Sequence, residues 1–203
     1  MKVVGVVLAG GDATRFGSAK QLAPLHGRPL LQYPLDALAG AGIDDVVVVL
    51  GAEAPAIEAA IEWRGERRRV NPRPADGLAS SLRVGLDGAA EDPAVDAVLV
   101  VLGDQPSLSV AVIRTVLDAA ATTDRPLVRA RYPSDGAPNP VLVRRAAWAL
   151  VAGLDGDRGL GPVLAERPDL VHEVPVAGAI PDIDSRADLV AAAADIAGPE
   201  SAA

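Results

Sequence analysis

No cysteine occurs among the 203 residues, which excludes disulfides, a thiolate nucleophile and cysteine-ligated zinc and suits a reducing compartment. Aromatic residues are almost as scarce: Phe16, Tyr33, Trp63, Tyr132 and Trp148 are the whole set. The core must therefore be built from Val, Leu, Ile and Ala, and no stacking platform for single-stranded nucleic acid is on offer. Positive charge is in deficit as well. The 27 acidic residues against 19 basic ones give a formal net charge of −8, which opposes binding to nucleic acid or an anionic membrane. No apolar run reaches the length of a membrane span. The apolar stretch behind Lys2 stops at a glycine turn by Gly10, which argues against a secretory signal. A soluble, cytoplasmic, single-domain protein is expected, with residues 1–197 as the domain and 198–203 as a disordered tail.

Lysine is the remaining scarcity, and it points to what is present. Only Lys2 and Lys20 occur, every other basic side chain being arginine. Lys20 closes the stretch VVGVVLAGGDATRFGSAK, residues 3–20, in which an apolar strand runs into a glycine-rich turn holding Arg15 and Lys20. Small residues let backbone N–H groups approach phosphate oxygens, and the two cations add charge, so the turn reads as a polyphosphate cradle. The glycines at Gly10, Gly11 and Gly17 fit neither GxGxxG nor GxxxxGK[ST], which disfavours a dinucleotide fold and a P-loop ATPase. The competing reading is an ordinary strand-to-helix turn with solvated charges.

Continuous aliphatic runs at residues 3–8, 46–50 and 97–102 predict strands buried on both faces. Helical patterns at 29–41, 54–63 and 78–86 lie between and around them. Further on, 109–121 predicts a helix with Ser109 as N-cap. Strands are expected at 127–130, 141–143 and 170–174, and helices at 144–151, 160–166 and 186–196. This alternation predicts an α/β fold, a Rossmann-like, mostly parallel twisted sheet with helices on both faces. Ligands of such sheets gather at the carboxyl ends of strands. The ends of the first strand, at residues 9–11, and of the central strand, at 103–106, should share one crevice and bring Arg15, Lys20 and Asp104 together.

LAGGDATRFGSAK followed by QLAPLHGRPLLQYPLDAL resembles the opening of the MobA-like molybdenum cofactor nucleotidyltransferases. The resemblance continues through NPRPADGLASSLRVGL, VLGDQPSL, NPVLVRR, GDRG and DIDSRADL, so it spans nearly the whole chain. It implies the nucleotide-diphospho-sugar transferase type of fold and transfer of a nucleoside monophosphate from an NTP to an acceptor phosphate with release of pyrophosphate. The acceptor phosphate is then the nucleophile, consistent with the lack of cysteine and of a nucleophilic triad.

By matching motif, the resemblance implies that Leu8, Ala9, Gly10 and Gly11 shape the base and ribose pocket and that Arg15 and Lys20 hold phosphates. Asp104 and Asp184 would bind Mg²⁺, and Asn71, Ser80 and Ser81 would contact the nucleotide. Arg15, Lys20 and Asp104 are the catalytic set. The acceptor implied is a molybdopterin-type small molecule, with a molybdoenzyme or its chaperone as recipient of the product. Each residue also has a structural alternative. Asp104 could begin a turn, Asp184, Ser185 or Asp182 could cap the last helix, Ser80 and Ser81 could bond the local backbone, and Asn71 could end a strand. His26, His172 and the run of Arg67, Arg68 and Arg69 read as structural, solvated or strand-edge residues.

LAGG at residues 8–11 is similar to the guanylyl branch of that family, whereas GDQP and ASSLRVGL resemble the cytidylyl branch, here favoured. Asn139 stands where related chains have histidine, and Gly161 where they have arginine, which puts the acceptor in question more than the nucleotide. Some closely similar sequences are assigned as oxidoreductases of a nicotine-derived pigment, and a non-catalytic nucleotide-binding role is a further alternative.

Overall fold

A computed structural model of the chain describes residues 1–11, 19–133 and 138–196. Arg15, with the rest of the glycine turn from Asp12 to Ser18, and the expected tail lie outside the described residues.

The first strand, β1 (Val3–Ala9), leads to a 3₁₀ turn at Lys20–Leu22 and a small antiparallel hairpin, β2 (Pro24–Leu25) with β3 (Arg28–Pro29). Its tip holds His26 and Gly27 at φ +48° and +77°; Gly27 accepts this left-handed geometry without a Cβ cost. Then follow α1 (Gln32–Gly40), β4 (Val46–Leu50), α2 (Ala54–Ala60), β5 (Arg67–Val70), α3 (Leu78–Ala90), β6 (Ala97–Leu102) and α4 (Val110–Thr122). The remainder comprises β7 (Leu127–Arg131), β8 (Val141–Arg144), α5 (Trp148–Ala152), α6 (Gly161–Glu166), β9 (Val171–Pro175) and α7 (Arg186–Asp195).

One seven-stranded sheet has the order β5-β4-β1-β6-β8-β7-β9. It is mostly parallel, and β8 alone among its described strands runs against both neighbours. β1 and β4 are buried almost throughout, as uninterrupted aliphatic sequences require in a sheet covered on both sides. Period-two alternation divides β1 between two cores. Val7 and Ala9 pack with Leu35 of α1, Ile57 of α2 and Ile113 of α4, while Val4, Val6 and Leu8 pack with Leu82 of α3, Val151 of α5 and Leu164 of α6. A third, smaller cluster joins Leu25, Leu30 and Tyr33 to Ile183, Leu189 and Ala192, so α7 is fastened to the hairpin.

Two boundaries depart from the sequence expectation for identifiable reasons. The helix expected from Pro29 begins at Gln32, because Arg28 and Pro29 pair with β2. The helix expected from Arg144 is a 3₁₀ turn at Arg145–Ala147 followed by a short α5, because Arg144 still belongs to β8. The arginine run forms β5, at the edge of the sheet. Arg67 reaches Asp45 at 2.8 Å and the Gly88 carbonyl at 2.7 Å, and Arg69 reaches Glu91 at 2.6 Å, so charge here guards an edge strand. Among the described residues no helix is long and apolar enough to cross a membrane.

Candidate active site

The carboxyl ends of β1 and β6 meet, with the Gly103 N–H donating to the Leu8 carbonyl at 2.9 Å. Gly103 must lack a side chain there, since a Cβ would lie 3.0 Å from that of Ala9 and 3.1 Å from Leu31. The chain then presents Asp104 at the carboxyl rim of the sheet, just past the end of the central strand β6. Lys20, which opens the 3₁₀ turn after the glycine loop, sets its Nζ 2.6 Å from Asp104 Oδ2 and 2.9 Å from Asp184 Oδ1. Residues separated by up to 164 positions thus converge on one ammonium. Burial on its own would lower the lysine pKa, but the two carboxylates outweigh it and hold the pKa above the usual value. Lys20 is a fixed cation, with its side chain only 14 % exposed.

The segment before α7 is held against this point by its backbone, the Ile183 N–H donating to the Asp104 carbonyl at 3.1 Å. Capping of α7 falls to Ser185, whose Oγ accepts from the Asp188 N–H while the Asp188 carboxylate accepts from the Ser185 N–H. That capping box satisfies the helix end and leaves the Asp184 side chain free to meet Lys20.

Gln105 and Asp182 were not among the candidate functional residues that sequence reasoning supplies. Gln105 is wholly buried, and its Nε2 donates to Asp182 Oδ1 at 2.7 Å. Partial burial pushes the Asp182 carboxyl up, the negative charge of Asp104 adds to this, and the Gln105 hydrogen bond opposes it. The residue is still open to solvent along one side, so screening keeps the energetic weight of these terms small. Two buried oxygens beside this cluster, Asp104 Oδ1 and Gln105 Oε1, have no hydrogen-bond partner. An unmet acceptor of this kind costs about 1–3 kcal/mol. The adjacency of Gln105 to Asp104 was visible in GDQP, but its partner lies 77 positions away and only the folded chain reveals it.

On the other side of β1, the Asn71 side chain donates to Ser80 Oγ at 2.7 Å and to Ser81 Oγ at 3.0 Å, and accepts from the Arg73 N–H at 2.9 Å. Ser80 Oγ donates to the Gly77 carbonyl at 2.7 Å, so its hydroxyl serves the local backbone. Ser81 instead lines a cleft of about 280 Å³ with Gly10, Gly11, Leu78 and Asp157. A Cβ on Gly10 would lie 3.1 Å from Ser81 Oγ, so the glycine lets wall and loop close together. Leu8 and Ala9 behave differently from these. Leu8 faces a second, apolar cleft with Asn139 and Asp182. Ala9 packs into the opposite core, and its carbonyl accepts from the buried Gln21 Nε2 at 2.8 Å.

The arrangement joins a glycine-walled cleft, a rigid cation and two acidic side chains at the carboxyl ends of the central strands. Among the described residues no group of three or more His, Asp or Glu could enclose a metal ion without help. The donor set nevertheless suits a hard cation, which binds to one or two carboxylates and completes its shell with phosphate and water. Asp104 Oδ1, buried and unpartnered, is an oxygen that such an ion would satisfy.

Comparison with known proteins places the fold and the family. The crystal structure of Rv0371c from Mycobacterium tuberculosis H37Rv superposes with a TM-score of 0.84 at 32% identity, covering 96% of this chain and 98% of that one. A manganese complex of the same protein gives 0.83 at 30% identity over 97% and 100% of the two chains. The nicotine blue oxidoreductase of Paenarthrobacter nicotinovorans is 35% identical over 180 residues, 83% of this chain and 84% of that protein. A glucose-1-phosphate thymidylyltransferase of Neisseria meningitidis is 34% identical over 130 residues, 59% of this chain and 43% of its own length. The profile of the MobA-like NTP transferase domain matches residues 5–172, and the chain belongs to that family.

Proposed function

We propose that this protein, as one domain over residues 1–197, is a divalent-metal-dependent nucleotidyltransferase of the cytoplasm. It moves a nucleoside monophosphate, CMP in preference to GMP, from an NTP to the phosphate of a molybdopterin-type acceptor. The observation that carries the reading is the convergence of Lys20, Asp104 and Asp184 at the carboxyl end of β1, beside the cleft walled by Gly10, Gly11 and Ser81.

An acceptor phosphate oxygen forms a bond to the α-phosphorus while the bond from that phosphorus to the β-phosphate bridge breaks, and pyrophosphate leaves with the electron pair. No proton need be taken from the nucleophile, so no catalytic base is required of the protein. Its part is alignment and charge. Gly10 and Gly11 admit the nucleotide close to the main chain, with Ser81 as a hydroxyl at the wall. Lys20, together with Arg15, would hold the phosphates, Lys20 trading its carboxylate partners for phosphate oxygens. Asp104 and Asp184 would hold Mg²⁺ or Mn²⁺, which when bound offsets the charge of the triphosphate and of the departing pyrophosphate. Manganese in the complex of the similar Rv0371c supports a divalent ion. The product would pass to a molybdoenzyme or its chaperone.

Pyrophosphate release, measured with each NTP, Mg²⁺ or Mn²⁺ and molybdopterin, tests the proposal. CTP should give the greatest release, and GTP the next, because LAGG retains the feature of the guanylyl branch. No release with any base would reject transfer. The similarity to a nicotine blue oxidoreductase favours one other reading, which would be supported by bleaching of the pigment with a nicotinamide reductant in place of pyrophosphate release.

A further inference from the structure

The Lys20 ammonium stands where a bridging cation would have to stand. Its Nζ lies 2.6 Å from Asp104 Oδ2 and 2.9 Å from Asp184 Oδ1, filling the gap across which the two carboxylates could share an ion. A hard cation such as Mg²⁺ must come within about 2.1 Å of each oxygen that binds it, and an ammonium held between those oxygens denies it that approach. Sharing them would set two cations side by side. The Lys20 and Asp104 side chains are only 14 % and 21 % exposed, so solvent and salt would screen that repulsion poorly. A triphosphate reverses the balance, because its oxygens accept from the ammonium and also complete the shell of the ion.

We propose that Lys20 is an internal counter-ion that keeps a divalent ion off Asp104 and Asp184 until a triphosphate draws the ammonium away, so that the site takes the metal–triphosphate complex as one ligand and the free ion only weakly. The triphosphate half of this statement rests on the transferase reading; the exclusion of free metal rests on the two ion pairs alone. The exchange needs side-chain rotation and no movement of the main chain, because the three residues are tied together through their neighbours. Gln21, after Lys20, donates from its buried side chain to the Ala9 carbonyl at 2.8 Å. Gly103, before Asp104, donates to the Leu8 carbonyl at 2.9 Å, and Ile183, before Asp184, donates to the Asp104 carbonyl at 3.1 Å. Lysine suits such an exchange better than arginine does. A compact ammonium on a flexible four-carbon stem changes partners by turning, whereas a planar guanidinium grips a carboxylate through two parallel bonds. In a chain whose only other lysine is Lys2, the choice of residue at this point has a physical reason.

The test measures Mn²⁺ binding to the whole chain without nucleotide, from the loss of the free ion's paramagnetic resonance signal. Lys20→Met should bind Mn²⁺ at least about tenfold more tightly than the parent, the factor expected if the ion pairs are closed in about nine molecules of ten. Lys20→Gln, a second neutral variant, should behave alike, and Lys20→Arg should stay near the parent because a cation remains. Lys2→Met makes the same change in net charge at the distant pair with Asp92, and it should leave the affinity unaltered. A CTP analogue with a methylene bridge between its α- and β-phosphates should tighten Mn²⁺ binding by a larger factor in the parent than in Lys20→Met. Equal or weaker Mn²⁺ binding by the folded neutral variants, or equal tightening by Lys2→Met, would overturn the proposal. Tighter binding by Lys20→Met, in a protein whose parent releases no pyrophosphate from any NTP, would reject the transferase reading and keep the counter-ion. Pyrophosphate release by the parent with an unchanged metal affinity in Lys20→Met would do the reverse.

Discussion

Asp104 and Lys20 illustrate how much depends on single side chains. Asp104→Asn preserves shape and removes charge. Turnover should fall by about 10²–10³, the scale on which a positioned electrostatic group acts, while the thermal midpoint stays near that of the parent; pyrophosphate release and calorimetry check the two halves. Unchanged turnover would remove Asp104 from the mechanism.

Lys20 gives a pH signature. In the unfolded chain it titrates near the ordinary lysine value of about 10.4, and in the fold its pKa is higher because Asp104 and Asp184 outweigh burial. The stabilisation from this pairing is therefore fully present below the ordinary value and is lost as pH rises through the folded one. In the absence of metal, the stability gap between the parent and Lys20→Met, read from urea midpoints, should stay constant from about pH 7 to 10 and narrow above that.

At the scale of elements, α3 can lie against the sheet only because its inner face is bare at two places. A Cβ at Gly85 would lie 2.4 Å from Val6 Cγ1, and one at Gly88 would lie 3.0 Å from Val47 Cγ1. Gly85→Ala gains helix propensity of about 1 kcal/mol but forces α3 from β1, where overpacking costs about 1–3 kcal/mol. Net destabilisation is expected in chemical denaturation, with weaker nucleotide binding because Ser81 rides on the same helix.

The elements also show which parts of the fold were legible beforehand. β1, β4 and β6 could be read because aliphatic side chains on both faces leave uninterrupted runs. β5 was legible only as a strand-edge alternative, since three arginines in succession look equally like solvent-facing charge until Asp45, Glu91 and the Gly88 carbonyl are placed beside them. Lys20, Asp104 and Asp184 could each be named from a motif, whereas it took the capping box of Ser185 and Asp188 to show that Asp184 does not cap α7 and its side chain meets Lys20. Gln105 was not singled out and Asp182 was read only as a possible helix cap, because nothing local marks a hydrogen bond that spans 77 positions.

Over the whole molecule, a net charge of −8 surrounds the site proposed for a triphosphate. At 10 mM salt the field reaches about 30 Å, and at 150 mM only about 8 Å. An approaching triphosphate therefore meets repulsion from the entire protein at low salt and mainly the nearby cations at physiological salt. The association rate of a fluorescent NTP analogue, measured by stopped flow, should rise over this range; a steep fall would show that local cations dominate at every distance.

The reversed strand β8 has a consequence for how such proteins diversify. Because it pairs antiparallel with both β6 and β7, β7 ends and β8 begins at the same rim as the carboxyl ends of β1 and β6, with Asn139 at the apolar cleft. A surface connection tolerates changes of length and sequence better than the strands it joins. The fold thus offers an exchangeable part at one side of the proposed nucleotide cleft, and a lineage could acquire a new acceptor by remodelling that connection alone.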